Sequence, residues 1–195
     1  MGRVILFMSL SLDGFIAGPN VGIENPMGDG GGRLHNWMFV GKTSQEIRSF
    51  EEESFKDTGA IIMGKRTFDV GVGPWGENPT FHAPCFVLST IAHPQILKAG
   101  GTTFTFVTDG IESALALART VAGEKDVIVM GGANTAQQYI KARLVDEMQF
   151  HLVPVLLCEG VQLFEHIGGE KIELENVETI DAPDVIHLKF SVVKS

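Results

Sequence analysis

Cysteine is nearly absent from this sequence: Cys85 and Cys158 are the only two, far apart along 195 residues. Two isolated thiols make neither a disulfide framework nor a metal-ligand pattern, and they fit a reducing, cytoplasmic setting. Positive charge is also scarce, with 15 Lys and Arg against 24 Asp and Glu and a net charge of −9. Nucleic acids and anionic membrane surfaces need a basic face, so neither is expected as a partner. For the same reason an anionic cofactor has to be met by a local cluster of cations.

Long apolar runs are missing too; no stretch approaches the roughly 20 residues of a membrane span. Arg3 before Val4–Leu12 and Ala17-Gly18 after it imitate a secretory leader. Ser9 and Ser11 interrupt that run and Asp13 ends it, so a buried first strand is expected instead. No G-x-G-x-x-G follows a strand, and there is neither a Walker A loop nor a G-x-S-x-G elbow. The six histidines (His35, His82, His93, His151, His166 and His187) lack metal-ligand spacing. No metal is expected, and His151 reads as a structural residue of a strand.

What is present centres on Asp126–Tyr139, DVIVMGGANTAQQY. Val127–Met130 is a short β-branched run of the kind buried on both faces of a sheet. Gly131 and Gly132 follow, and Asn134 or Thr135 can cap a helix whose apolar positions are Ala136, Tyr139 and Ile140. Strand, glycine pair and helix start form an anion site, because glycine lets a phosphate approach the backbone and first-turn N–H groups point at it. A tight turn that needs glycine only for packing explains the same residues.

Length and an ordinary globular composition, 44% hydrophobic and 20% charged, predict one domain over residues 1–195. Val4–Ser9 reads as a strand, followed by a turn at Ser11–Gly14. Gly18–Arg33 is rich in Gly, Pro and Asn and reads as a loop, closed by Trp37 and Phe39. Ser44–Asp57 reads as a helix with Ser44 as its cap and Glu51–Glu53 on a solvated face. Ala60–Met63, Cys85–Leu88 and Phe104–Val107 read as strands, and Ile111–Val121 as a helix with Ile111, Leu115 and Ala118 on one stripe. Met148–Leu157 reads as a long strand in which Pro154 marks an edge or a bulge. Lys171–Ile180 and Val185–Val193 read as a hairpin. This order predicts an α/β sheet, parallel first and finished by antiparallel strands.

Four strand ends carry small polar or cationic residues: Asp13, then Gly64-Lys65-Arg66-Thr67, then Ser89-Thr90, then Gly131-Gly132. In open α/β sheets ligands bind beyond the carboxyl ends of strands. Lys65 and Arg66 supply the cations the chain otherwise lacks; an exposed basic turn is the alternative reading. For Asp13 the alternative reading is an Asx-turn.

The segments SLDGFIAG, MGKRTFD, FVLST, FVTDGIESAL, VMGGANTAQQYI and VDEMQFHLVPVLL, in that order, resemble the dihydrofolate reductase superfamily. Within it the chain is similar to stand-alone proteins resembling the reductase domain of the bifunctional riboflavin-biosynthesis deaminase–reductase. The resemblance implies a twisted, mostly parallel sheet with helices on both faces, and NADPH as hydride donor. It places Ser9, Ile16 and Ala17 at the nicotinamide, and Gly64, Lys65, Arg66 and Thr67 at the phosphates. Ser89, Thr90 and Thr108 would serve the adenosine end with its 2′-phosphate, and Gly131, Gly132, Ala133, Asn134 and Thr135 the pyrophosphate. Asp13 would face the substrate as the catalytic acid, with Phe15, Trp37 and Phe55 as further substrate contacts. Relatives are commonly homodimers, and Met148–Leu157 with the C-terminal hairpin is the expected contact.

Two departures bear on substrate. Riboflavin reductases usually carry a basic residue where this chain has Phe15, and Glu where it has Met130; both serve a phosphoribosyl group. Folate reductases carry one acid on the helix after the mobile loop, where Glu46, Glu51, Glu52 and Glu53 offer no unambiguous match. The expected activity is NADPH-dependent reduction of a pteridine- or pyrimidine-type heterocycle, resembling 5-amino-6-(5-phosphoribosylamino)uracil reductase and dihydrofolate reductase. The alternative is a nucleotide-binding module without turnover, and a weaker one a flavin- or drug-binding oligomer scaffold.

Overall fold

Six apolar runs form the parallel centre of a nine-stranded sheet in a computed structural model that describes residues 2–43 and 54–194. The strands are β1 (Val4–Ser11), β2 (Phe15–Ala17), β3 (Thr58–Gly64), β4 (Pro84–Leu88), β5 (Ile96–Leu97), β6 (Thr103–Val107), β7 (Asp126–Val129), β8 (Glu147–Val153), β9 (Val161–Gln162), β10 (Leu174–Ala182) and β11 (Val185–Val192). The sheet order is β10-β11-β8-β1-β7-β3-β4-β6-β5, and β2 pairs with β9 apart from it. Pairing from β8 through β6 is parallel, whereas β11, β10 and β5 join antiparallel. The expected α/β architecture is therefore present, with two-residue strands at β5 and β9 that are too short for any periodicity to reveal.

Both faces of the parallel strands are covered, which is why they read as continuous apolar runs. On one face Val4, Leu6 and Met8 pack with Ala114, Leu115 and Ala118 of α3 (Ile111–Ala122) and with Tyr139 of α4 (Ala133–Lys141); the short helices α1 (Asn36–Phe39) and α2 (Lys65–Gly71) precede them in sequence. On the other face Ile5, Ile61, Met63 and Cys85 pack against Phe68 and Phe104. Burying each large side chain contributes about 1.5–3 kcal/mol. Burial also pushes the Cys85 thiol far up in pKa, so it is an inert core residue. The fully buried Tyr139 hydroxyl donates to the Ile111 carbonyl at 2.7 Å, fixing α4 to the start of α3.

Two expectations need correction. The helix after the glycine pair begins at Ala133 with Gly132 as its cap, and no side chain caps it. Asn134 instead accepts from Gln138 at 2.8 Å, and Thr135 is buried. Strand β8 stops at Val153, so Pro154 lies beyond it, and β8 sits inside the sheet between β1 and β11 rather than at an edge. The helix expected over Ser44–Asp57, with Glu46 and Glu51–Glu53, falls mostly outside the described residues.

The amino ends of the central strands are closed by ion pairs. Arg3 binds Asp126 at 2.6 Å and Glu147 at 2.9 Å, and Lys189 reaches Glu147 at 3.3 Å. The Asp146 carboxylate accepts the Val4 N–H at 2.8 Å. The carboxyl ends are left open, and there the loop Gly18–Arg33 folds back. Gly18 N–H donates to Met27 O at 2.9 Å, and Asp29 N–H to Pro19 O at 2.8 Å. Asn20 and Asn25 both donate to the Asp29 carboxylate at 2.7 Å.

Candidate active site

A cleft of about 1340 Å³ runs along the carboxyl ends of the parallel strands, bordered by Ser9 of β1, Gly64 of β3, Leu88 of β4, Val107 of β6, Met130 after β7 and His151 of β8. Small-ligand pockets typically span about 300–1,000 Å³, so this one has room for more than one small molecule. Three of the four expected strand ends meet along one wall.

At the centre of that wall β3 and the glycine pair interlock. The Gly64 N–H donates to the Gly131 carbonyl at 2.7 Å. A Cβ on Gly64 would sit 2.7 Å from Thr135 Oγ1, and one on Gly132 would sit 3.3 Å from Thr67 Oγ1. Gly131 has φ +111 and joins Gly132 through a cis peptide. Only glycine suits that backbone. Immediately after it, α4 presents a first turn whose N–H groups have no acceptor within the helix. Gly131 through Thr135 all border the cleft, as do Gly64 through Thr67. The resulting floor of bare backbone and uncapped helix suits an anion.

The two cations differ. Lys65 Nζ is held by Asp69 at 2.5 Å, one turn along α2, whereas Arg66 is exposed and has no ion pair among the described residues. Ser89, Thr90 and Thr108 border the same wall. The Ser89 hydroxyl is already used locally, donating to Ile91 O at 2.8 Å. Ser9, Ile16 and Ala17 lie mid-cleft, and Trp37 and Phe55 border the apolar part beside β1 and β8.

Asp13 and Phe15 are not there. The Asp13 carboxylate accepts from the Ser11 hydroxyl at 2.5 Å, the Leu157 N–H at 3.1 Å and the Cys158 N–H at 2.8 Å. These bonds tie the turn after β1 to the segment beyond β8. The Ser11 hydroxyl, then the two N–H groups, hold this carboxyl below the usual carboxylate range. These three bonds commit the carboxylate to the turn, and Asp13 does not border the cleft. Phe15 is buried in β2, and its N–H donates to Ser11 Oγ at 2.9 Å.

Two histidines of the apolar end, His35 and His151, border the cleft, although the sequence offers His151 only as a structural residue of a strand. His151 is buried, with its ring 4.7 Å from Phe7 and 4.9 Å from Trp37. Its partner His187 faces it across the β8–β11 pair. Spacing along one strand could not show this, because the pair forms only when the C-terminal hairpin docks. Burial keeps both rings uncharged: desolvation lowers His151 to about 3, helped by His187 and His35, and lowers His35 to about 4.

Among the described residues no helix is long and apolar enough to cross a membrane, and no cluster of His, Cys, Asp and Glu could hold a metal ion.

The sheet order and the cleft along the carboxyl ends of its strands mark an α/β protein whose fold is similar to that of dihydrofolate reductase. Among solved structures it is similar to a putative riboflavin biosynthesis protein from Shewanella sp. PV-4, with TM-score 0.71, 19% identity and coverage of 98% of this chain and 99% of that one. It is also similar to Enterococcus faecalis dihydrofolate reductase complexed with NADP(H), with TM-score 0.58, 14% identity and coverage of 99% and 98%. The family model described as the RibD C-terminal domain matches residues 3–187, and the chain belongs to that family. The uncharacterized protein YwjB of Bacillus subtilis (strain 168) is 21% identical over 188 residues, 95% of this chain and 96% of that protein.

Proposed function

We propose that this protein is an NADPH-dependent reductase of a pteridine- or pyrimidine-type heterocycle. The observation that carries the reading is the convergence of Gly64–Thr67, Ser89-Thr90 and Gly131–Thr135 along one wall of a single cleft whose far end is aromatic. The bare backbone at Gly131-Gly132, where Gly131 takes a φ of +111 that side-chain-bearing residues rarely adopt, fits a pyrophosphate. Arg66, with Thr90 and Thr108 nearby, would meet the 2′-phosphate, and Ser9, Ile16 and Ala17 would hold the nicotinamide against the apolar end. NADPH, when bound, supplies a hydride from nicotinamide C4.

The chain's own contribution is orientation and exclusion of water. Phe7, Trp37 and Phe55 give a planar substrate apolar faces to stack on. Asp13 takes no part. Among the described residues Glu165 is the one carboxylic acid bordering the cleft, and it is exposed. Solvent at that open rim can therefore deliver the proton.

The test is calorimetric titration with NADPH and NADH, followed by cofactor oxidation at 340 nm against a panel of pterins and aminouracils. Tight NADPH binding with oxidation by at least one heterocycle is expected. Binding without oxidation by any of them would make the protein a nucleotide-binding module. Failure of both cofactors to bind at millimolar concentration ends the reading.

A further inference from the structure

Beside the glycine floor stands a buried amide with only one of its two ends in use. Gln137 lies one turn into α4, four residues beyond Ala133, and is 7% exposed. Its Nε2 donates to the Gln162 carbonyl at 3.0 Å. Gln162 belongs to β9 and pairs with Phe15 of β2. Ile16 and Ala17 of β2 border the cleft, as do Val161 and Gln162 of β9. The bond therefore joins the helix that carries the anion floor to the strand pair beside it.

The oxygen of the same amide is free for a ligand. Gln137 Oε1 accepts no hydrogen bond among the described residues, yet unlike His151 Nε2 and His35 Nδ1 it is not sealed from the surface. Gln137 itself borders the cleft. A planar amide carries its oxygen and nitrogen on opposite arms, so committing Nε2 to a carbonyl fixes where Oε1 can point. The next amides along the helix are occupied with each other, Gln138 donating to Asn134 Oδ1 at 2.8 Å.

An uncharged acceptor selects its ligand by what it cannot bind. An ionised pyrophosphate offers acceptors only, so Oε1 is no part of the floor at Gly131-Gly132 and needs an O–H or N–H donor. Gln162 lies on the β1 side of the glycine pair, through β2, and away from Ser89 and Thr90 after β4. On that side NADPH presents ribose hydroxyls and a carboxamide NH₂ directly beyond its pyrophosphate. We propose that Gln137, held by Gln162, binds the nicotinamide-riboside half of the cofactor and sets its position in the cleft. This inference rests on the reductase reading and adds a residue that serves neither the pyrophosphate nor the 2′-phosphate.

The probes are NADPH and 2′,5′-ADP, which carries the adenosine end with its 2′-phosphate and no nicotinamide riboside. Gln137→Met keeps the length of the side chain and removes both polar atoms. In calorimetric titrations it should weaken NADPH about three- to tenfold, the worth of one neutral hydrogen bond, and 2′,5′-ADP less than about twofold. In the parent protein, which needs no substitution to fold, the side-chain amide resonances of Gln137 should move on adding NADPH and stay in place on adding 2′,5′-ADP. Unchanged NADPH binding in the variant, or equal weakening of both ligands, would overturn the proposal. Parent resonances that ignore NADPH or answer both ligands alike would do the same. Each of those results leaves the reductase reading intact, because the parent still binds NADPH. A parent that binds neither ligand overturns the reductase reading and this inference together.

Discussion

The Nδ1 atoms of His151 and His187 lie 2.7 Å apart across the β8–β11 pair. At that distance one ring must donate and the other accept, so one proton lies between the two Nδ1 atoms and the accepting ring carries its own N–H at Nε2. Protonating the accepting ring at Nδ1 as well would set two N–H groups against each other and break the contact.

Stability should therefore depend on pH below neutrality. His151 and His35 are lowered to about 3 and about 4, mainly by burial, and burial also lowers His187, with Lys42 adding to the effect. The unfolded chain binds protons near pH 6.5 that the folded chain refuses, so stability is full above that pH and falls as pH drops toward the folded values. The loss by pH 4.5 should be on the order of 5 kcal/mol. Thermal melts from pH 7.5 to 4.5 should show a declining Tm, with a shallower slope for His151→Phe. An equal slope in that variant would place the effect elsewhere.

Cofactor choice should depend more on Arg66 than on Lys65. Asp69 already neutralises Lys65 at 2.5 Å, whereas Arg66 is exposed beside the cleft. A charge-assisted hydrogen bond is worth roughly 1.5–3 kcal/mol. Arg66→Ala should accordingly weaken NADPH about ten- to a hundredfold and NADH much less, with a smaller effect in Lys65→Ala. The difference should shrink at high salt, because exposed charges are screened. Equal weakening of both cofactors would mean that Arg66 grips the shared pyrophosphate.

Asp13→Asn should lower Tm and spare catalysis. The substitution replaces one acceptor oxygen with an NH₂ group in a site built from three donors, Ser11 Oγ and the Leu157 and Cys158 N–H groups. With a substrate in hand, kcat and KM should stay within about twofold. A hundredfold fall in kcat with unchanged Tm would return Asp13 to the reaction.

Assembly is expected through β10. It is the outermost strand, exposed along almost its whole length, and carries Leu174, Val177 and Ile180 at 41%, 55% and 49% exposure. Uncovered edge strands of this kind invite pairing with a second chain. We propose a homodimer through this hairpin, without the interior strand β8. Light scattering should give about twice the 21.1 kDa chain mass, and Val177→Lys with Ile180→Lys should return it to one chain. A parent already at the single-chain mass would rule the dimer out.

The sheet was legible because two-sided burial writes itself as β-branched runs: Val127–Val129 and Ala60–Met63 lie in strands β7 and β3 as read. The anion wall was legible for a related reason, since Gly131-Gly132 and Lys65-Arg66 follow such runs directly. What sequence could not supply was the direction of a side chain within a turn. Asp13 stands at a strand end like the others, yet its hydrogen bonds reach residues 144 and 145 positions away. His151 and His187 are likewise 36 residues apart and meet only through strand register. The helix cap was missed because the helix begins on bare Gly132, with no side chain accepting its first N–H groups.

The loop over the cleft has a consequence for engineering. Its base consists of glycines pressed onto backbone: a Cβ on Gly18 would lie 1.9 Å from Asp29 O, one on Gly28 2.3 Å from Gly18 O, and one on Gly160 2.1 Å from Ala17 O. The crest behaves differently, since Gly22 has open space around it, while Val21 and Pro26 border the cleft. Libraries aimed at new substrates should therefore diversify Val21–Pro26 and leave the glycine base untouched, so that the loop serves as a replaceable cassette on a fixed mount.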